Sequence, residues 1–153
     1  MEIPLSPFMQ RALDLAQEAA LAGEVPVGAV IVRNGVEIAA CANAMRASKD
    51  PTAHAEMEAI RAAARALGNE RLDDCDLWVT LEPCPMCAGA IAHARIARVY
   101  YAAPDPKGGG VDHGPRIFTQ PTCHHRPDVY SGLGEAQASD QLRAFFAAKR
   151  SAQ

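Results

Sequence analysis

Apolar residues recur at helical spacing through Phe8, Met9, Ala12, Leu13, Ala16, Ala19 and Ala20, the pattern of a helix with one buried face. Ser6-Pro7 supplies a capping hydroxyl and a proline for the first helical position, and Gly23 a stop. The period then changes. Val25–Val32 and Val36–Cys41 are apolar runs on either side of Asn34-Gly35, a dipeptide that accepts the positive φ of a tight turn, so two hairpin strands are predicted. Asp50-Pro51-Thr52 opens an alanine-rich helix to Leu67, closed by Gly68-Asn69. Leu77-Trp78-Val79-Thr80-Leu81 is the nearly continuous apolar run of a strand buried on both faces. It leads directly into Pro83-Cys84-Pro85 and a third helix ending near Ala94, followed by a strand over Arg98–Ala103. A helix over Glu135–Arg150 closes the pattern, with Leu142, Phe145 and Phe146 available to dock. From Pro104 to Gly134 glycine, proline and histidine dominate and no element is assigned.

Strand, helix and strand in that order predict a parallel βαβ unit with a right-handed crossover, hence an α/β layered fold. The 153 residues suit one domain, 1–153, with no internal repeat or linker. No run reaches the roughly 20 apolar residues of a membrane span. The start, Met1-Glu2-Ile3-Pro4, lacks the basic and apolar regions of a secretory leader, so a cytoplasmic protein is expected. Five cysteines are an odd count for such a chain and point to metal or catalytic use of some rather than to disulfides. Cys41, Cys75 and Cys123 read as packing residues. The net charge of −3 lacks the basic footprint of a nucleic-acid binder, although local basic patches remain open.

Chemistry concentrates in two stretches, His54-Ala55-Glu56 and Pro83-Cys84-Pro85-Met86-Cys87. Cys84 and Cys87 are three apart at a helix start, so their thiols point the same way. The positive helix end favours the thiolate that binds metal. With His54 they make three ligands, which leaves a position open for water, as in catalytic rather than structural zinc sites. Mixed thiolate and imidazole ligation points to Zn2+. Glu56, two residues from His54, falls off the ligand face and is placed to move the protons of water. The H-x-E…P-C-x-x-C pattern is the signature of zinc deaminases. It predicts hydrolytic deamination, in which Glu56 takes a proton from water, hands it to a ring nitrogen and then protonates the departing amine. Helix-start amides would stabilise developing charge. The other reading of these residues is a structural zinc clip with a fourth ligand and Glu56 as a surface charge, giving a non-catalytic zinc-binding domain. A purely structural site does not require Glu56.

Gly23-Glu24-Val25-Pro26-Val27-Gly28-Ala29-Val30, Asp50–Glu56 and Val79–Ala90, together with His93-Ala94-Arg95-Ile96 and the Phe145-Phe146 helix, make the chain resemble the bacterial tRNA-specific adenosine deaminases, within the cytidine deaminase-like superfamily. The resemblance covers nearly the whole chain, densely from Gly23 to Lys107. It implies a three-layer α/β/α sandwich around a mixed five-stranded sheet, one zinc per subunit and a homodimer. It also implies conversion of adenosine to inosine at the wobble position of an arginine tRNA, on a base splayed from the anticodon stem-loop. Carried over by residue, it makes His54, Cys84 and Cys87 the zinc ligands and Glu56 the proton shuttle. Asn43 would hydrogen-bond the target base, and Val25 and Pro26 would line its pocket. Asp105 and Lys107 would meet the sugar-phosphate backbone, with Phe145 and Phe146 near the neighbouring nucleotides. Without the resemblance, Asn43 reads as a turn residue, Asp105 and Lys107 as solvated loop charges, and the two phenylalanines as core.

Departures from the family pattern fall at Pro104, at Gly108-Gly109-Gly110-Val111-Asp112-His113 and at Cys123-His124-His125-Arg126. All lie in segments expected to meet RNA. Cys123-His124-His125 also reads as a weak second metal motif. A rival of the same fold is a deaminase of free guanine, cytosine or a nucleoside, which the net acidity favours. A basic rim around the zinc cleft would favour RNA instead.

Overall fold

The computed structural model describes residues 4–152, so the reading of Met1–Ile3 lies outside the described residues. Helix α1 spans Pro7–Leu21, with the Ser6 hydroxyl accepting from the Phe8 amide at 3.2 Å and Pro7 in the first turn. Strands β1 (Gly28–Arg33) and β2 (Val36–Ala42) form the expected hairpin, turning at Asn34 and Gly35, both of positive φ. A four-residue helix α2 (Met45–Ser48) and a turn precede α3 (Ala55–Leu67). Then follow β3 (Cys75–Leu81), α4 (Pro85–Ala94), β4 (Arg98–Ala103), a 3-10 turn at Ile117–Thr119, β5 (Asp128–Ser131) and α5 (Glu135–Ser151).

The five strands form one mixed sheet in the order β2-β1-β3-β4-β5. β1 is antiparallel to both neighbours, whereas β3, β4 and β5 run parallel. Because side chains alternate across a strand, each strand feeds two cores. Ala29, Ile31, Leu77, Val79, Val99 and Tyr101 pack with Ala59 and Ala63 of α3 and Ala88 and Ile91 of α4. Val30, Val32 and Ala102 pack on the opposite face with Met9, Ala12, Leu13 and Leu15 of α1 and with Ala138 of α5. The result is the α/β/α sandwich that the resemblance implies.

Two boundaries and one unassigned segment differ most from the sequence reading. The first strand begins at Gly28 rather than Val25, because Pro26 has no N–H for the ladder and Val27 N bonds back to Val25 O at 2.9 Å. The helix expected from Asp50 begins at Ala55. Asp50 instead holds a local turn, its Oδ1 accepting from the amide and hydroxyl of Thr52, both at 2.8 Å, as short polar side chains commonly do. The unassigned 104–134 segment contains the 3-10 turn and β5. β5 is short and polar at its ends; Tyr130 stacks on Tyr100, and Tyr100 on Trp78, at ring separations of 5.0 and 3.9 Å.

Gly28 is where α1 approaches the sheet most demandingly. A Cβ there would overlap the Ala12 carbonyl and come within 2.9 Å of Leu15 Cβ. Gly28→Ala is therefore expected to destabilise the protein by about 2–3 kcal/mol, the scale of overpacking against a rigid neighbour. A denaturant titration checks this; an unchanged midpoint would show that α1 shifts freely.

Candidate metal and catalytic site

Two helix starts converge past the carboxyl end of β3. His54 is the N-cap of α3 and Cys84 the N-cap of α4, both in extended backbone, while Cys87 lies within the first turn of α4. Pro85 follows Cys84 at a position where its missing amide removes no helical bond. His54 Nδ1 lies 3.6 Å from Cys84 Sγ and 3.5 Å from Cys87 Sγ. These three form the one group among the described residues arranged to hold a metal ion. A tetrahedral zinc with bonds of roughly 2.0–2.3 Å to nitrogen and sulfur sets such ligands about 3.6 Å apart, so the donor set and its spacing fit zinc.

The thiols behave as a pair. The hydrogen bond from Cys87 draws the Cys84 thiol down to about 5. The same bond, with burial, pushes Cys87 upward. All five cysteines are free.

Glu56, the second residue of α3, is 4% exposed and is no member of the ligand group. Burial pushes its carboxyl up to about 7, opposed by the backbone amide and reinforced by Cys84. A carboxyl near neutrality can both take and give a proton.

A cleft of about 240 Å3 opens on these residues, lined by His54, Glu56 and Cys84 with Val25, Asn43 and Asp105. Asn43 Nδ2 donates to Val25 O at 3.3 Å, while its buried Oδ1 has no partner in the structure. Asn43 lines the cleft, but this oxygen is enclosed by protein. Met45, Leu81 and Glu82 also line the cleft, with no site role in the sequence reading, as does Gly108, which it noted only as a departure from the family pattern. Met45 is set by Glu24, another buried carboxylate, which accepts from the amides of Arg46 and Ala47 at 2.9 and 2.8 Å.

The remaining expected contacts lie off the cleft lining. Pro26 is buried behind Val25 and Val27. Lys107 is exposed on the loop whose neighbour Asp105 lines the cleft, and its amide bonds to Asp105 Oδ1 at 3.2 Å. Phe145 is buried and Phe146 exposed on α5, their rings edge to face. Cys123-His124-His125 forms no metal cluster among the described residues. Cys123 Sγ instead donates to His125 O, and His125 Nε2 bonds to Ile96 O at 2.6 Å, fastening the loop that leads to β5.

Comparison with known proteins agrees with this geometry. A family model of the cytidine and deoxycytidylate deaminase zinc-binding region matches residues 4–103. The tRNA-specific adenosine deaminase of Agrobacterium fabrum (strain C58) is 57% identical over 94% of this chain and 94% of its own length. A solved structure from work on A-to-I editing by tRNA:A34 deaminases superposes with a TM-score of 0.87 at 57% identity, covering 88% of this chain and 98% of that one. A structure described as guanine deaminase from Bacillus subtilis gives a TM-score of 0.64 at 40% identity over 90% and 91% of the two chains. The fold, the zinc-type ligand set and these likenesses converge: the chain belongs to the cytidine and deoxycytidylate deaminase zinc-binding family and, within it, to the tRNA-specific adenosine deaminases.

Proposed function

We propose that this protein hydrolyses adenosine to inosine at the wobble position of a tRNA anticodon, with an arginine tRNA as substrate, acting in the cytoplasm as a homodimer. Among the described residues no helix is long and apolar enough to cross a membrane. The observation that carries the reading is a buried carboxyl, Glu56, beside a three-ligand cluster in a cleft that Asn43 also lines. The cleft is smaller than the ~300–1,000 Å3 typical of drug-sized ligands, which suits one extruded base. The naming of relatives as tRNA-specific adenosine deaminases supports the substrate. Exposed Arg46 and Lys107, next to lining residues Met45 and Gly108, supply cations for phosphates at the mouth.

In this reading His54, Cys84 and Cys87 hold the zinc. When bound, it supplies a Lewis acid that brings the pKa of water near 7. The chain's own residues do the rest. Asn43 and Val25 orient the base, and burial by Leu81 and Val27 excludes solvent. Glu56 accepts the proton of the attacking water and delivers it to N1 as oxygen bonds to C6. It then carries the second proton to the exocyclic amine. The C6–N6 bond breaks, ammonia leaves and the C6 oxygen becomes the inosine carbonyl. The proton count closes because one water supplies both transfers.

The guanine deaminase likeness favours a second reading, a free nucleobase as substrate. One assay separates them: inosine at the wobble position of an arginine tRNA transcript, beside ammonia release from free adenosine, cytidine and guanine. The expected result is inosine in the tRNA and little turnover of the free compounds. Ammonia from a free base with the tRNA unchanged would overturn the tRNA assignment.

A further inference from the structure

Glu82 follows β3 directly, yet its buried carboxylate belongs to neither the ligand cluster nor the proton shuttle. It accepts five hydrogen bonds from one loop. Oε1 takes the Asp105 amide at 3.0 Å and His113 Nδ1 at 2.7 Å. Oε2 takes the amides of Val111, Asp112 and His113 at 3.2, 2.9 and 3.1 Å. Backbone amides are strong donors to a charged acceptor, and these gather both ends of the 105–113 loop onto one side chain. A side chain at Gly109 would run into this carboxylate. Asp112 is further held by the Tyr101 hydroxyl, and Gly110 N bonds to Pro83 O at 2.8 Å.

The loop is one wall of the cleft, through Asp105 and Gly108. We propose that Glu82 is a positioning residue for substrate binding: through these amides and His113 it keeps the 105–113 wall in the shape that receives the base. The inference rests on the cleft being the substrate site, as argued above. Glutamine cannot replace Glu82, because its NH2 must face either the three amides at Oε2 or the Asp105 amide and His113 at Oε1.

The test compares zinc-loaded wild type, Glu82→Gln and the milder His113→Ala by steady-state deamination of an anticodon stem-loop. Zinc per chain and amide hydrogen exchange over residues 105–113 are measured on the same samples. Glu82→Gln is expected to raise KM about ten-fold and His113→Ala about three-fold, with kcat within about two-fold, zinc retained and loop exchange faster. A merely structural role would leave the KM-to-kcat split unmoved. KM unchanged in both variants while loop exchange quickens would overturn the proposal, as would lost zinc with a fall confined to kcat. Should Glu82→Gln not fold, His113→Ala decides alone. A wild type inert on the stem-loop would sink the tRNA reading and not this one. The same comparison is then read with the free base it does turn over, whose pocket has the same wall.

Discussion

Glu56→Gln is expected to keep zinc at one per chain and to lower the rate of deamination by about a thousand-fold, within the range that general acid–base groups contribute. The two side chains match in shape, and Glu56 lies outside the group that can hold the metal, so ligation should not change. The amide keeps a hydrogen bond but cannot take a proton from water. Nor should it unfold the protein. Burial raises the Glu56 carboxyl to about 7 in the metal-free chain. A carboxyl raised on folding is ionised more readily unfolded, so it lowers stability as pH rises from its unfolded value through about 7. A neutral amide removes that penalty at and above neutral pH. Single-turnover product formation with bound zinc measured in parallel is the check. Rates near wild type would mean that another group moves the protons.

Cys87→Ala is expected to abolish activity by a different route. Cys87 is fully buried at the contact of two helix starts, 3.5 Å from His54 Nδ1. Its loss leaves two protein ligands, and zinc affinity should fall by at least about a hundred-fold. Because a metal that binds only the folded state stabilises it, the wild-type Tm should drop when a chelator is added, while the variant's Tm should not respond. Stoichiometric zinc in purified Cys87→Ala would remove Cys87 from the ligand set. Glu56→Gln and Cys87→Ala thus separate proton transfer from metal binding: one is inactive with zinc, the other inactive without it.

The candidate ligands and the proposed proton shuttle could be named from the sequence because each depends on spacing within one turn of helix. Cys84 and Cys87 share a face whatever the rest of the chain does, and the i,i+2 offset turns Glu56 from His54, although the helix itself starts five residues later than expected, at Ala55 rather than Asp50. The sheet was legible for a similar reason. Alternating or continuous apolar runs specify strands over 28–33, 36–42, 75–81 and 98–103 to within a few residues. The Asn34-Gly35 turn fixes the first pairing. β5 was not legible, since its four residues owe their place to pairing with β4 and to the Tyr130–Tyr100 stack, both long-range.

Glu82 marks the boundary most sharply. Nothing in its neighbourhood announces a role, because four of its five partners are backbone amides 23 to 31 residues further along, and an amide hydrogen bond leaves no mark on residue type. The same holds for Asn43: composition shows a polar residue after a strand, whereas only packing shows that it lines the cleft with its amide nitrogen tied to Val25 O. Ligand identity, helix starts and strand order along the chain follow from local chemistry that repeats with fixed period. The shape of the pocket wall, and the loop that Glu82 gathers onto its carboxyl, follow from where distant segments meet. Those meetings are set by the summed burial of both faces of the sheet, a quantity spread over the whole chain and written in no single stretch of it.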